Sequence, residues 1–129
     1  MHADEYLAWL NVLSHSDNLD EEDTRLLISE QVLSELDRQD QKWGQQDHPD
    51  FSPRGYDIGR RADRVLAENW KHSNAVRAAD DALAWDGILL EEVYEALAES
   101  DEEALEAELI QVAAVAQQWV AAIRRRRRS

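Results

Sequence analysis

The residue types that could do chemistry gather in two short stretches, Glu91-Glu92-Val93-Tyr94-Glu95 and Glu106-Ala107-Glu108-Leu109-Ile110-Gln111. On a helix, residues three or four apart share a face, so Glu92 and Glu95 stack one above the other. Glu108 and Gln111 do the same on the helix that follows. If the two helices lie antiparallel, these four oxygen-bearing side chains converge on one spot. Carboxylate and amide oxygens suit a hard cation, Mg²⁺, Mn²⁺ or Ca²⁺, better than zinc. Histidine does not compete for that role, because His2, His15, His48 and His72 are scattered and form no Glu-x-x-His pair. The chain has no cysteine, which excludes disulfides and thiolate metal sites.

Glutamate is common on any helix, and a run of charge is usually a solvated face. Placement favours a site here. At about 100° per residue, Leu105, Leu109, Val112, Val115, Ala116, Trp119 and Ile123 form one apolar stripe, and Glu108 points into it. A carboxylate on a core-facing stripe is costly unless it is paired, hydrogen-bonded or metal-bound. Glu102, Glu103 and Glu106 fall to the side or away and read as surface. On the preceding helix Glu92, Glu95 and Glu99 share one face, with Leu83, Leu90, Tyr94 and Leu97 roughly opposite. Several carboxylates held close repel and raise one another's pKa values, a penalty that a bound divalent cation removes.

Five helices are expected to position these residues. The first spans about 3–13, with Tyr6, Leu7, Leu10 and Leu13 at helical spacing. The second runs over about 21–43, with Asp20 as N-cap. The one long loop, 44–55, holds both prolines and two of the four glycines. The third helix covers about 57–79, the fourth about 81–99, and the fifth continues to about 125. Ser100-Asp101-Glu102-Glu103 reads as a capping box, with Ser100 bonding the amide of Glu103. No strand-like alternation and no solenoid-length repeat is present. The expected fold class is therefore all-α, a single bundle of four to five helices with the Glu-bearing hairpin at its centre.

The 129 residues suffice for one compact domain, and 43% apolar content allows a core. No stretch is long and apolar enough for a membrane span, and the first residues lack the features of a secretory signal. A cytoplasmic location without membrane contact is the expectation. The formal net charge of −14 repels nucleic-acid backbones, so no nucleic-acid partner is expected. The exception is the five-arginine run 124–128, which reads more readily as a basic helix end favourable to the helix dipole than as a polyanion contact.

At the glutamates the chain resembles the MazG-like, all-α nucleoside triphosphate pyrophosphohydrolases, whose motif is Glu-Glu-x-x-Glu, a spacer, then Glu-x-x-Asp. Glu91, Glu92 and Glu95 match its first part, and Glu108 matches the Glu of its second. The segment Trp85-Asp86-Gly87-Ile88-Leu89-Leu90-Glu91-Glu92-Val93, with Arg38-Gln39-Asp40-Gln41-Lys42-Trp43-Gly44-Gln45-Gln46-Asp47-His48-Pro49, is similar to a short subgroup frequent in actinobacteria and their phages. The resemblance covers about 36–123. It implies a MazG-like helical domain over 21–123, flanked by an N-terminal accessory helix (1–20) and a basic tail (124–129). The departure is Gln111, which stands where the motif has Asp; an amide oxygen can still ligate Mg²⁺ but brings no charge.

The resemblance implies hydrolysis of a nucleoside triphosphate between its α and β phosphates, giving a monophosphate and pyrophosphate. It implies Mg²⁺, with Mn²⁺ as an alternative, held by Glu92, Glu95, Glu108 and Gln111. Glu91 would position or deprotonate the attacking water, or serve as a further ligand. It also implies a homodimer or homotetramer. For the nucleotide, Lys42 can meet a phosphate as a compact charge, Trp43 can stack on a base, and Gln39 or Gln46 can read base edges. The plainer reading of the same segment puts Trp43 in the core and Lys42 in solvent. Another class of protein also fits the pattern: a non-catalytic helical interaction module in which Gln111 marks a decayed metal site.

Overall fold

The computed structural model describes residues 20–52 and 56–128. The helix expected over 3–13 lies outside the described residues. Among those described there are four helices and no strand: α1 (Glu21–Trp43), α2 (Tyr56–Ala79), α3 (Trp85–Leu97) and α4 (Glu102–Arg128). The all-α class is thus what the composition and periodicity indicated. The chain divides into two compact units, one holding α1 and the end of α4 from Val120, the other spanning His48–Trp119.

In the first unit, α1 begins where the spacing predicts. Asp20 is the N-cap, its Oδ1 accepting from the amide of Asp23 at 2.7 Å. Glu21, Glu22 and Asp23 fill the first turn, where negative charge suits the positive end of the helix dipole. The helix stops at Gly44, whose φ of 69° lies in the left-handed region and whose N–H donates to Asp40 O at 2.8 Å. A side chain at such a φ is strained, which is why glycine ends helices this way. Thr24, Leu27 and Ile28 are buried, as is Ala121 of α4. The arginine run continues α4 as regular helix to Arg128. Three of its members turn to α1: Arg124 donates to Gln31, Arg125 pairs with Glu21 at 2.8 Å, and Arg128 donates to Thr24 Oγ1 at 3.3 Å.

The second unit is organised by the packing of α2 against α3. The sequence reading began the fourth helix near Asp81; the structure corrects this. Asp81 instead closes α2, with φ 55°, while Ala82 N–H reaches back to Arg77 O at 2.7 Å and Asp81 N–H to Ala78 O at 3.2 Å. This paired pattern with a left-handed residue is a Schellman closure, and aspartate tolerates that conformation better than most residues. The helix α3 starts only at Trp85. Its N-cap, Ala84, offers no side-chain acceptor.

The expected capping box is also displaced by one residue. Asp101, not Ser100, caps α4, its Oδ2 accepting from Ala104 N at 3.0 Å. A charged acceptor at the same three-residue spacing satisfies the orphan amide and suits the helix dipole.

Small residues let the helices of this unit approach. Ala67, Asn74, Gly87, Ala96 and Ala98 are all buried. Arg64 donates to the carbonyl of Ala98 at 3.3 Å, tying the end of α3 to α2. The apolar side expected on the fourth helix is not all inside: Leu83 and Leu97 are exposed. On α4, Leu105, Val112, Val115 and Trp119 are half-buried with Glu108 between them, whereas Leu109 is 51% exposed.

Candidate metal centre

All three glutamates of the first motif lie on α3 and are half-buried, with one carboxylate oxygen from each of Glu91, Glu92 and Glu95 within 4.8 Å of the others. Glu92 and Glu95 are neighbours by helical spacing. Glu91 lies around the helix from Glu92, and its position comes from outside α3: Asn74 of α2 donates from Nδ2 to Glu91 Oε1 at 2.9 Å. The same nitrogen donates to the carbonyl of Gly87 at 2.9 Å.

Glu108 stands outside this three-residue group but acts on it. Burial first, then the charges of Glu108 and Glu91, push the Glu92 carboxyl above its ordinary range. Burial also raises Glu95, followed by the charges of Glu92, Glu91 and Glu108, while Lys71 pulls it the other way. Glu92 Oε2 and Glu108 Oε2 are both buried without a hydrogen-bond partner. A buried carboxylate oxygen that accepts nothing is costly. Two of them beside a cluster of like charge fit a divalent cation with oxygen ligands, and the donor set fits Mg²⁺ or Mn²⁺.

Gln111 is exposed on α4. Glu99, expected on the face of Glu92 and Glu95, turns to the loop, where its Oε1 accepts from the amides of Ser100 and Asp101 at 3.1 and 3.3 Å. The nucleotide-contact candidates Gln39, Lys42, Trp43 and Gln46 belong to the first unit. Trp43 is 63% exposed, so it is not a core residue, and Lys42 Nζ sits 4.9 Å from its ring centroid. Gln39 donates to Glu35 at 3.3 Å.

The sequence reading missed Asn74 and the role of Gly87. A signal existed for Asn74, since it stands seven residues after the buried Ala67, two helical turns along the same face. A polar residue on an apolar stripe carries the same message there as Glu108 does on α4. In comparisons with known proteins, the chain matches no family model, no curated protein and no solved structure.

Proposed function

We propose that this protein is a Mg²⁺-dependent nucleotide pyrophosphohydrolase of the MazG-like kind, cleaving (d)NTP to (d)NMP and pyrophosphate. The observation that carries the reading is the convergence of Glu91, Glu92 and Glu95 beside buried, unpartnered oxygens of Glu92 and Glu108. The match of these residues to the family motif supplies the reaction class.

Glu92, Glu95 and Glu108 would hold the cation. When bound, Mg²⁺ neutralises charge on phosphate oxygens and lowers the pKa of a coordinated water. Glu91, held by Asn74, orients the water or takes its proton, and serves as a ligand if a second ion binds. Gln111, exposed on α4, can reach a ligand only as a neutral hydrogen-bonding group. Within the first unit, the exposed ring of Trp43 with Lys42 at its face is suited to stack on a base and to meet a phosphate, and Gln39 and Gln46 stand near them in sequence. The exposed apolar residues Val65, Leu83 and Leu97 support assembly as a homodimer or homotetramer, and a cytoplasmic setting supplies the nucleotides. Among the described residues, no helix is long and apolar enough to cross a membrane.

The experiment is a panel of common NTPs and dNTPs with Mg²⁺, read by pyrophosphate release. The expected result is monophosphate and pyrophosphate from at least one of them. No release from any, at high protein concentration, overturns the proposal.

A second reading has its own observation. Leu109 and Ile110 are 51% and 67% exposed beside Gln111, as a helical interaction module with a decayed site would have them. Mn²⁺ titration separates the two, because the module binds no metal at the glutamates.

A further inference from the structure

We propose that Asn74 is the positioning residue of the acidic centre, holding Glu91 in the orientation the site requires; the inference rests on the metal-dependent reading above. Asn74 is only 8% exposed and sits on α2, facing the glutamate helix. Its Nδ2 spans one turn of α3, donating to Gly87 O and to Glu91 Oε1, each at 2.9 Å. Gly87 and Glu91 are four residues apart, so the amide lies along the helix edge and draws the Glu91 side chain toward the N-terminal end of α3. Helical side chains already lean that way. Both groups facing Nδ2 are acceptors, and the opposite amide orientation would set Oδ1 against a carbonyl and a carboxylate. The donor assignment follows from that chemistry.

Gly87 makes the contact possible. A Cβ at this position would stand 2.3 Å from Asn74 Oδ1, 3.2 Å from Arg77 Nη1 and 3.3 Å from the Trp70 ring. No methyl group fits there unless Asn74 moves. Asn74, Gly87 and Glu91 are therefore one device: the missing side chain admits the amide, and the amide fixes the carboxylate. A neutral donor orients Glu91 through Oε1 without cancelling its charge and leaves Oε2 to the ligand. A lysine in the same place would neutralise the site.

Two variants test this in the full chain. Asn74→Leu keeps the branched shape and removes the donor; Gly87→Ala keeps Asn74 but displaces it. Mn²⁺ affinity by electron paramagnetic resonance is expected to fall about 10–100-fold in both, the range for loss of a group that orients a ligand, with helical circular dichroism retained. Pyrophosphate release should fall in kcat more than it changes KM. Lower melting temperatures with Mn²⁺ affinity equal to the wild type would reduce Asn74 to a packing residue and overturn the proposal. A second measurement does not depend on metal. In the metal-free wild type the Asn74 side-chain amide protons should be protected from solvent exchange, and Glu91→Ala should shift their resonance. Exchange at the rate of a free amide, or no response to Glu91→Ala, overturns the proposal. If the wild type binds no Mn²⁺, the pyrophosphohydrolase reading falls, and the amide resonances still decide whether Asn74 holds Glu91.

Discussion

Glu92 of α3 and Glu108 of α4 each bury one carboxylate oxygen, Oε2, that accepts from no donor, and burial, then the charge of Glu108, raises the pKa of Glu92. Two acids from different helices are thus kept close against their mutual repulsion. A positive charge bound between them would relieve that repulsion.

Divalent cations should stabilise the protein. At a Mn²⁺ concentration about 100 times the dissociation constant, linkage gives about 2.7 kcal/mol. The melting temperature of the wild type should rise with Mn²⁺ or Mg²⁺. In chelator, Glu92→Gln or Glu108→Gln should melt above the wild type, because a buried repulsion is gone, and should lose the response to metal. Differential scanning calorimetry with and without metal checks both signs.

The pH dependence has a definite direction. Glu92 and Glu95 have raised pKa values in the folded state, so the folded form holds their protons more tightly than the unfolded chain. Their contribution to stability is fully present below the ordinary Glu range and is lost as pH rises through the raised values. Metal-free protein should therefore lose stability from these two groups as pH rises above the ordinary Glu range. Glu35 behaves oppositely: hydrogen bonds from Arg38 and then Gln39 hold it down to about 2, so its contribution is lost only as the solution falls toward that value. Urea titrations across pH, repeated on Glu92→Gln, measure the difference. Added Mg²⁺ should flatten the neutral side of the profile, and protons should displace it on acidification.

Catalysis should separate the acids. Replacing Glu91 with Gln should lower kcat by about 10²–10⁴-fold if it serves as general base, with Mn²⁺ affinity less affected than in Glu92→Gln. Gln111→Ala should leave Mn²⁺ affinity close to that of the wild type, since Gln111 is exposed and its amide brings no charge to a cation. Steady-state pyrophosphate release together with Mn²⁺ titration tests each residue.

Asp81 offers a test of backbone strain. It holds φ 55° at the closure of α2, a conformation that costs an ordinary L-residue roughly 1–2 kcal/mol. Asp81→Gly should raise stability by up to about 1 kcal/mol, and Asp81→Val should lower it by about as much. Chemical denaturation of the metal-free protein reads both changes.

Periodicity and end signals made the helices legible. Asp20 and Gly44 bound α1 as their chemistry dictates, and the inward aim of Glu108 followed from its place among Leu105, Val112 and Val115. The errors have local causes. Asp81, an acidic residue, suits a helix start, but it also tolerates the left-handed conformation that ends one. Ser100 and Asp101 are both good N-caps, and adjacency hid which would win. Asn74 escaped because its partners, Gly87 and Glu91, come from another helix, and one helix's periodicity says nothing about what faces it. Leu83, Leu97, Leu109 and Ile110 fit helical stripes, yet remain exposed, because a stripe marks a side that prefers cover without naming what covers it.

The weak start of α3 has a final implication. With Ala84 at its head and no side-chain acceptor there, and with only thirteen residues, this segment is too short to hold its own coil in water. Excised as a peptide it would unravel and its three acids would drift apart. Order at the centre is borrowed from the α2 scaffold, so whatever loosens that docking should scatter the three acids before the rest of the chain melts.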